Sequence, residues 1–149
     1  MSVKPIPDGF HTVTPYMIVE GASKLIDFLK QAFEATEMNR MNNPDNSIGH
    51  AAIRIGDSVL MMSDARGDWK SMSSAIYLYV NDTDATYKRA LQAGATSLME
   101  PADQFYGDRS AGVKDPVGNY WWIATHKKDL SSEELRKRAE EYMKKHQKG

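Results

Sequence analysis

The sequence predicts an α+β fold made of paired βαβββ modules. One observation is an internal repeat, in which an offset of 61 residues relates Val19 to Val80 and Met38 to Met99. Another is that each half of the chain holds one amphipathic helix pattern among four strand patterns. One helix for every four strands disfavours a purely parallel, doubly wound sheet. We therefore expect two similar modules, each with an open sheet that pairing can cover.

The first module is expected at about residues 10–64, after an irregular arm. Residues 11–19 are rich in β-branched and aromatic side chains and predict a strand. Pro15 inside this strand cannot donate to a ladder, so the strand should lie at an edge or carry a bulge. The other elements predicted are a helix from Gly21 to about Phe33, a strand near 37–41, and a hairpin of 50–55 and 58–63 across Gly56-Asp57.

The second module is expected at about residues 74–128 and repeats this order. Its predicted elements are a strand at 74–80, a helix at 83–93, a strand at 95–99, and a hairpin of 109–114 and 119–125. The hairpin turn holds Asp115-Pro116 and Gly118-Asn119, residue types that favour turns. Residues 129–149 predict an appended helix with Ser131 or Ser132 as its N-cap, packed on the domain or on a partner subunit.

Composition excludes several classes of function. The formal net charge is -1, which gives no electrostatic footprint for nucleic acid. No stretch is long and apolar enough for a membrane span, and the N-terminus lacks the apolar region of a signal peptide. The chain has no cysteine, which excludes disulfides, thiolate zinc sites and cysteine nucleophiles and fits a cytoplasmic protein. Nucleotide-binding and hydrolase motifs are also absent from the sequence.

Four stretches of the chain carry a family likeness: residues 5–16, 54–61, 103–110 and the turn 115–119. With the paired βαβββ modules, they resemble the vicinal oxygen chelate superfamily of glyoxalases, bleomycin-resistance proteins and extradiol dioxygenases. The resemblance is closest to its PhnB-like branch and covers residues 5–128, as one domain. It implies an eight-stranded, U-shaped mixed sheet around a cavity, with helices outside, usually in a homodimer.

The resemblance also locates the metal position of the superfamily. Metal-using members hold one divalent ion with four strand residues, and the corresponding positions here are Thr14, Met61, Ala75 and Trp122. The 61-residue repeat relates 14 to 75 and 61 to 122. None of these four is a competent ligand for a hard divalent ion. We therefore expect no metal and no other cofactor, and not the metal-dependent chemistry of glyoxalases and dioxygenases.

Strand alternation predicts which side chains face the cavity. The expected ligand-binding residues are Tyr16, His50, Met61, Tyr77, Tyr79, Arg109, Tyr120 and Trp122. Aromatic walls with few polar anchors are typical of pockets for planar molecules. Arg109 could bind a carboxylate or phosphate, or form a structural ion pair that fixes its loop. On the last hairpin, Ala111 and Val113 are expected to face the cavity with Arg109.

The opposite strand face should lie under the helices. Its expected members are Val13, Met17, Ile53, Ile55, Leu60, Met62, Ile76, Leu78, Val80, Trp121 and Ile123. This set is almost entirely aliphatic and large, so the assignment of the two faces is consistent with burial of one of them.

The leading functional hypothesis is a metal-free, homodimeric protein that sequesters or senses a planar or aromatic small molecule. The alternative is a glyoxalase-, lyase- or isomerase-like enzyme with a non-standard metal site or none. Its catalytic residues are unknown, with His50 as a candidate general base. A third possibility is a scaffold whose cavity is filled by side chains. The sequence leaves open whether one chain or two chains build the cavity.

Overall fold

Residues 2–147, the part of the chain that the computed structural model describes, form eight strands and three helices. The elements are β1 (Tyr16–Val19), α1 (Ala22–Phe33), β2 (Thr36–Asn42), β3 (Ile48–Ile55), β4 (Ser58–Asp64), β5 (Ala75–Tyr79), α2 (Thr83–Gln92), β6 (Thr96–Asp103), β7 (Asp108–Lys114), β8 (Tyr120–His126) and α3 (Ser132–Lys145). This order confirms the predicted α+β class with paired βαβββ modules. None of the helices within these residues is long and apolar enough to cross a membrane.

The eight strands form two four-stranded mixed sheets, in the orders β1-β4-β3-β2 and β5-β8-β7-β6. β1 pairs in parallel with β4, and β5 pairs in parallel with β8, whereas the other neighbouring strands are antiparallel. Tyr16 lies opposite Met61 in the first sheet, and Tyr77 lies opposite Trp122 in the second. Both residues of the second pair lie 61 positions after those of the first, so the strand register follows the 61-residue repeat.

One hydrophobic core joins the two modules. It contains the apolar residues of α1, the helix-side residues of both sheets, and Tyr87 and Ala90 of α2. Phe33 of α1 packs on Trp121 of β8 with 5.2 Å between ring centroids. Each sheet packs its helix-side face against this shared core, so its other face points outward. The outer faces remain accessible, as Tyr16 and Tyr79 show with 47% and 66% exposure.

The N-terminal arm differs from the prediction, because β1 begins only at Tyr16. Val13, expected beneath the helices, is 81% exposed. The Thr14 hydroxyl donates to the His11 carbonyl, which is a local turn contact. Pro15 has no N–H to donate, and its carbonyl accepts from Met61 at the start of the parallel pairing. Proline therefore ends the arm and limits the strand to four residues.

Helix α3 packs on the second module through its C-terminal half. Ser131 is the N-cap, and its hydroxyl accepts from the backbone N–H of Glu134 at 3.1 Å. Tyr142 stacks edge-on against Phe105, with 4.9 Å between ring centroids. The described helix buries none of its residues fully. Of the predicted segments, Met1 of the arm and residues 148–149 of the appended helix lie outside the described residues.

Candidate ligand-binding faces

The two outer sheet surfaces hold most of the predicted ligand-binding residues. We call the outer surface of the β1–β4 sheet face N and that of the β5–β8 sheet face C. On face N, Tyr16 and Met61 lie side by side on adjacent strands. His50 lies on β3 with its ring centroid 5.9 Å from that of Tyr16. Face N is thus a mixed aromatic and thioether surface with one imidazole.

Face C is more aromatic. Tyr77 is opposite Trp122, and Ala75 is opposite Tyr120. The rings of Tyr120 and Trp122 meet edge to face at 6.1 Å, and those of Tyr77 and Tyr79 are 5.3 Å apart. Tyr77, Tyr79 and Tyr120 are 40%, 66% and 38% exposed. The strand alternation predicted for these residues agrees with the register.

The turn before β8 decides which tryptophan faces outward. Asp115 is buried and accepts four hydrogen bonds, from the backbone N–H groups of Val117 and Asn119, the Asn119 amide and the indole of Trp121. The Trp121 indole nitrogen lies 2.7 Å from the carboxylate. With Trp121 fixed inward in this way, alternation directs Trp122 to face C.

A second carboxylate has a similar role in the first module. Asp64 at the end of β4 accepts the backbone N–H groups of Gly21 and Ala22, at the start of α1, and that of Ile48, at the start of β3. It satisfies donors that the first turn of a helix leaves without partners. These three hydrogen bonds fix α1 beneath the strands of face N. The sequence analysis did not predict this role of Asp64.

The predicted position of Arg109 is wrong, because Arg109 lies on the opposite face of its strand. Arg109 pairs with Thr125, on the helix side of β8, and its guanidinium binds Asp84 of α2 at 2.7 and 2.9 Å and Asp103 at 3.2 Å. Hydrogen bonding to Asp84 and then to Asp103 raises the pKa of Arg109. Ala111 and Val113 are fully buried on the same side. Arg109 thus forms the structural ion pair that the sequence left open.

A difference in turn length explains this error. The first hairpin has four residues between the paired Arg54 and Val59, and the last has five between Lys114 and Tyr120. One additional residue exchanges the two faces of the strand before the turn. Ser110, Gly112 and Lys114 therefore take the places on face C that were predicted for their neighbours.

Replacing Arg109 with glutamine tests this placement. We expect a small decrease in Tm, because the contact to α2 is lost, and unchanged affinity for any ligand bound at face C. Arg136→Gln serves as the matched control, since Arg136 is an exposed arginine on α3, outside both faces. Calorimetric titration measures the affinity. A large loss of ligand affinity in Arg109→Gln would contradict this placement and show that Arg109 belongs to the binding site.

The four positions that correspond to the superfamily's metal ligands do not fit a divalent ion. Met61 offers a thioether on face N, and Trp122 and Ala75 offer no lone pair on face C. The Thr14 hydroxyl is engaged with His11. Among residues 2–147, no group of three or more His, Cys, Asp or Glu is arranged to hold a metal. These four side chains therefore suit an apolar wall and not a set of metal ligands.

Sequence reasoning missed a polar cluster at one end of face C. Asp108 is only 4% exposed and accepts from the hydroxyls of Tyr77 and Tyr79 at 2.8 and 3.0 Å. The ring of His126 bridges Asp108, at 2.8 Å, and Asp129, at 2.7 Å. Burial opposes ionisation of Asp108, but hydrogen bonds from His126 and the two tyrosines outweigh it and lower its pKa. Hydrogen bonding to Asp108 and then Asp129 raises the pKa of His126.

Curated relatives and solved structures resemble this chain over most of its length. It is 35% identical over 134 residues to the uncharacterized protein Mb0911c of Mycobacterium bovis, covering 83% of this chain and 88% of the relative. The uncharacterized protein Rv0887c of Mycobacterium tuberculosis matches at the same identity, with 79% of its length covered.

Similar structures include TioX from Micromonospora sp. ML1, with a TM-score of 0.68, 20% identity and coverage of 78% of this chain and 98% of TioX. PA1353 from Pseudomonas aeruginosa has a TM-score of 0.66 at 20% identity, covering 79% of this chain and 99% of its own. These likenesses concern the fold. The family model described as the Glyoxalase/Bleomycin resistance protein/Dioxygenase superfamily matches residues 9–123. The chain belongs to this superfamily.

Proposed function

We propose that this protein binds a planar or aromatic small molecule without a metal and sequesters or senses it. The observation that carries this proposal is the exposure of ordered aromatic side chains on the outer sheet faces. Tyr16, Tyr77, Tyr79 and Tyr120 are between 38% and 66% exposed. Contiguous aromatic surface of this kind is typical of a binding site. The PhnB-like branch, suggested by the sequence motifs, is part of this proposal.

The functional unit of this proposal is a homodimer. Within one chain, faces N and C both lie on the side of their sheet away from the common core, and in this proposal the ligand lies between the faces of two chains. A second copy that lays its face C over face N would cover both surfaces and enclose a ligand between them. This arrangement gives Tyr16, His50 and Met61 as one wall and Tyr77, Tyr79, Tyr120 and Trp122 as the other. Stacking between such walls favours flat ligands.

A thermal-shift screen of planar metabolites tests the function. We expect at least one compound to raise Tm, because a ligand at about 100 times its dissociation constant stabilises the folded state by about 2.7 kcal/mol. Trp122→Ala should weaken that compound's binding by about 10-fold or more, since it removes a central stacking surface. Tyr142→Ala, on α3 and outside both faces, is the matched control.

Two outcomes would contradict the proposal. One is a complete screen in which no planar compound raises Tm. The other is a hit whose affinity Trp122→Ala leaves unchanged. Mass spectrometry of the hit after prolonged incubation should recover it intact, whereas its conversion to a product would favour the enzyme alternative.

A further inference from the structure

We propose that the Tyr77–Tyr79 pair over Asp108 on face C is an acceptor site for the amine or ammonium group of a planar ligand. This inference rests on the proposed function and adds the chemical class of the ligand. It makes Asp108 a determinant of specificity, held beneath the two rings that the ligand would touch.

The first argument concerns the direction of the hydrogen bonds. A tyrosine hydroxyl has one proton to donate and two lone pairs. Both hydroxyl protons are directed to the Asp108 carboxylate, at 2.8 and 3.0 Å. Burial, followed by hydrogen bonding to Tyr106 and Asp108, raises the pKa of Tyr77, so this phenol keeps its proton. The lone pairs of the two phenols that remain free, beside the contact of Tyr77 with Tyr106, can only accept, so a ligand must bring the proton.

The second argument concerns charge. Asp108 carries a negative charge beneath the tyrosines, and Asp129 adds another beyond His126. Even with His126 protonated, these three groups sum to one negative charge. The faces of aromatic rings also attract cations, and the Tyr77 and Tyr79 rings lie 5.3 Å apart with a tilt of 57°. Lys127, Lys128 and Arg138 line the groove on another side of Asp108. The preference for an ammonium group over a carboxylate is therefore expected at the tyrosine side, where the two phenolic oxygens and the ring faces lie.

The third argument is independent of the first two and concerns Ser110. Its side-chain hydroxyl is fully buried and has no hydrogen-bond partner among the described residues. Ser110 pairs with Ala124, which in turn pairs with Tyr79, so its side chain shares face C with the tyrosine pair. Buried hydroxyls are rarely left without a partner. The polar end of face C thus has hydrogen-bonding capacity that the protein does not use.

Two probes of nearly equal shape test the charge preference. Tryptamine and indole-3-propionate share an indole and a short chain, and they end in an ammonium and a carboxylate at neutral pH. Calorimetric titration of the full chain should give tryptamine an affinity at least about 10-fold higher, a difference equal to about 1.4 kcal/mol. In Asp108→Asn the preference should fall to within about two-fold, because the charge is lost and the shape is kept.

Tyr79→Phe provides a second variant that leaves the buried carboxylate in place. Tyr79 is 66% exposed, so the variant should fold normally, and circular dichroism checks this for both variants. We expect it to weaken tryptamine and leave indole-3-propionate unchanged.

Equal or tighter binding of the carboxylate, failure of tryptamine to bind, or a preference that persists in Asp108→Asn would each overturn the inference. Equal binding of both probes that is lost in Trp122→Ala would refute the amine preference and leave ligand binding at face C in place. The broader function is decided separately, by the screen of planar compounds.

Discussion

Asp115→Ala is expected to lower the free energy of unfolding by about 2–5 kcal/mol, because it leaves buried donors without partners at about 1–3 kcal/mol each. The variant removes the acceptor of the Trp121 indole and of the Asn119 side-chain amide, both in a fully buried environment. Asn119 in turn accepts from the backbone N–H of Ser74, directly before β5. The loss therefore reaches two strands of face C.

Urea denaturation at a fixed protein concentration measures this effect. Asp57→Ala is the matched control, because Asp57 lies in the corresponding turn of the first hairpin and bonds only the neighbouring Ser58 hydroxyl at an exposed site. The control should change stability by less than about 0.5 kcal/mol, as is usual for surface positions. Equal stability of the two variants would contradict the role given to Asp115.

Tyr120→Glu on face C and Tyr16→Glu on face N are each expected to weaken the proposed homodimer by about 100-fold or more, which corresponds to at least about 2.8 kcal/mol. Each variant places an unpaired carboxylate in a surface that the second copy would cover, and such burial is costly. Because the two faces meet each other in the proposed assembly, either variant alone should be sufficient.

Sedimentation equilibrium separates the dimer from the single chain of 16.8 kDa. Met143→Glu is the control, since Met143 is 62% exposed on α3, outside both faces. It should leave the mass unchanged. A mass of two chains in both tyrosine variants would exclude faces N and C as the interface.

The repeat explains why much of the fold could be predicted. Strand alternation and the 61-residue offset place Met61 and Trp122 opposite Tyr16 and Tyr77, as the register confirms. These patterns depend only on neighbouring residues along a strand and on turns of known length. The position of Arg109 was missed for the same reason, because the last turn is one residue longer than the repeat implies.

The polar sites could not be predicted because their partners are distant in sequence. Asp108 accepts hydrogen bonds from two tyrosine hydroxyls of β5, some 30 residues earlier, and is hydrogen-bonded to an imidazole of β8. Asp64 joins the start of α1 to the start of β3. Neither arrangement has a characteristic spacing. One local signal was available for Asp108, which directly follows Gly107 and begins a strand whose middle, from Ser110 to Val113, is small and apolar.

The direct test of the account is a map of backbone amide chemical shifts, recorded with the tightest compound from the thermal-shift screen. We predict that one equivalent per chain perturbs residues on both faces, around Met61 and around Trp122. In the proposed dimer one ligand touches both faces, because the second chain lays its face C over face N. Perturbations confined to one face, or to the surface of α3, would contradict the account.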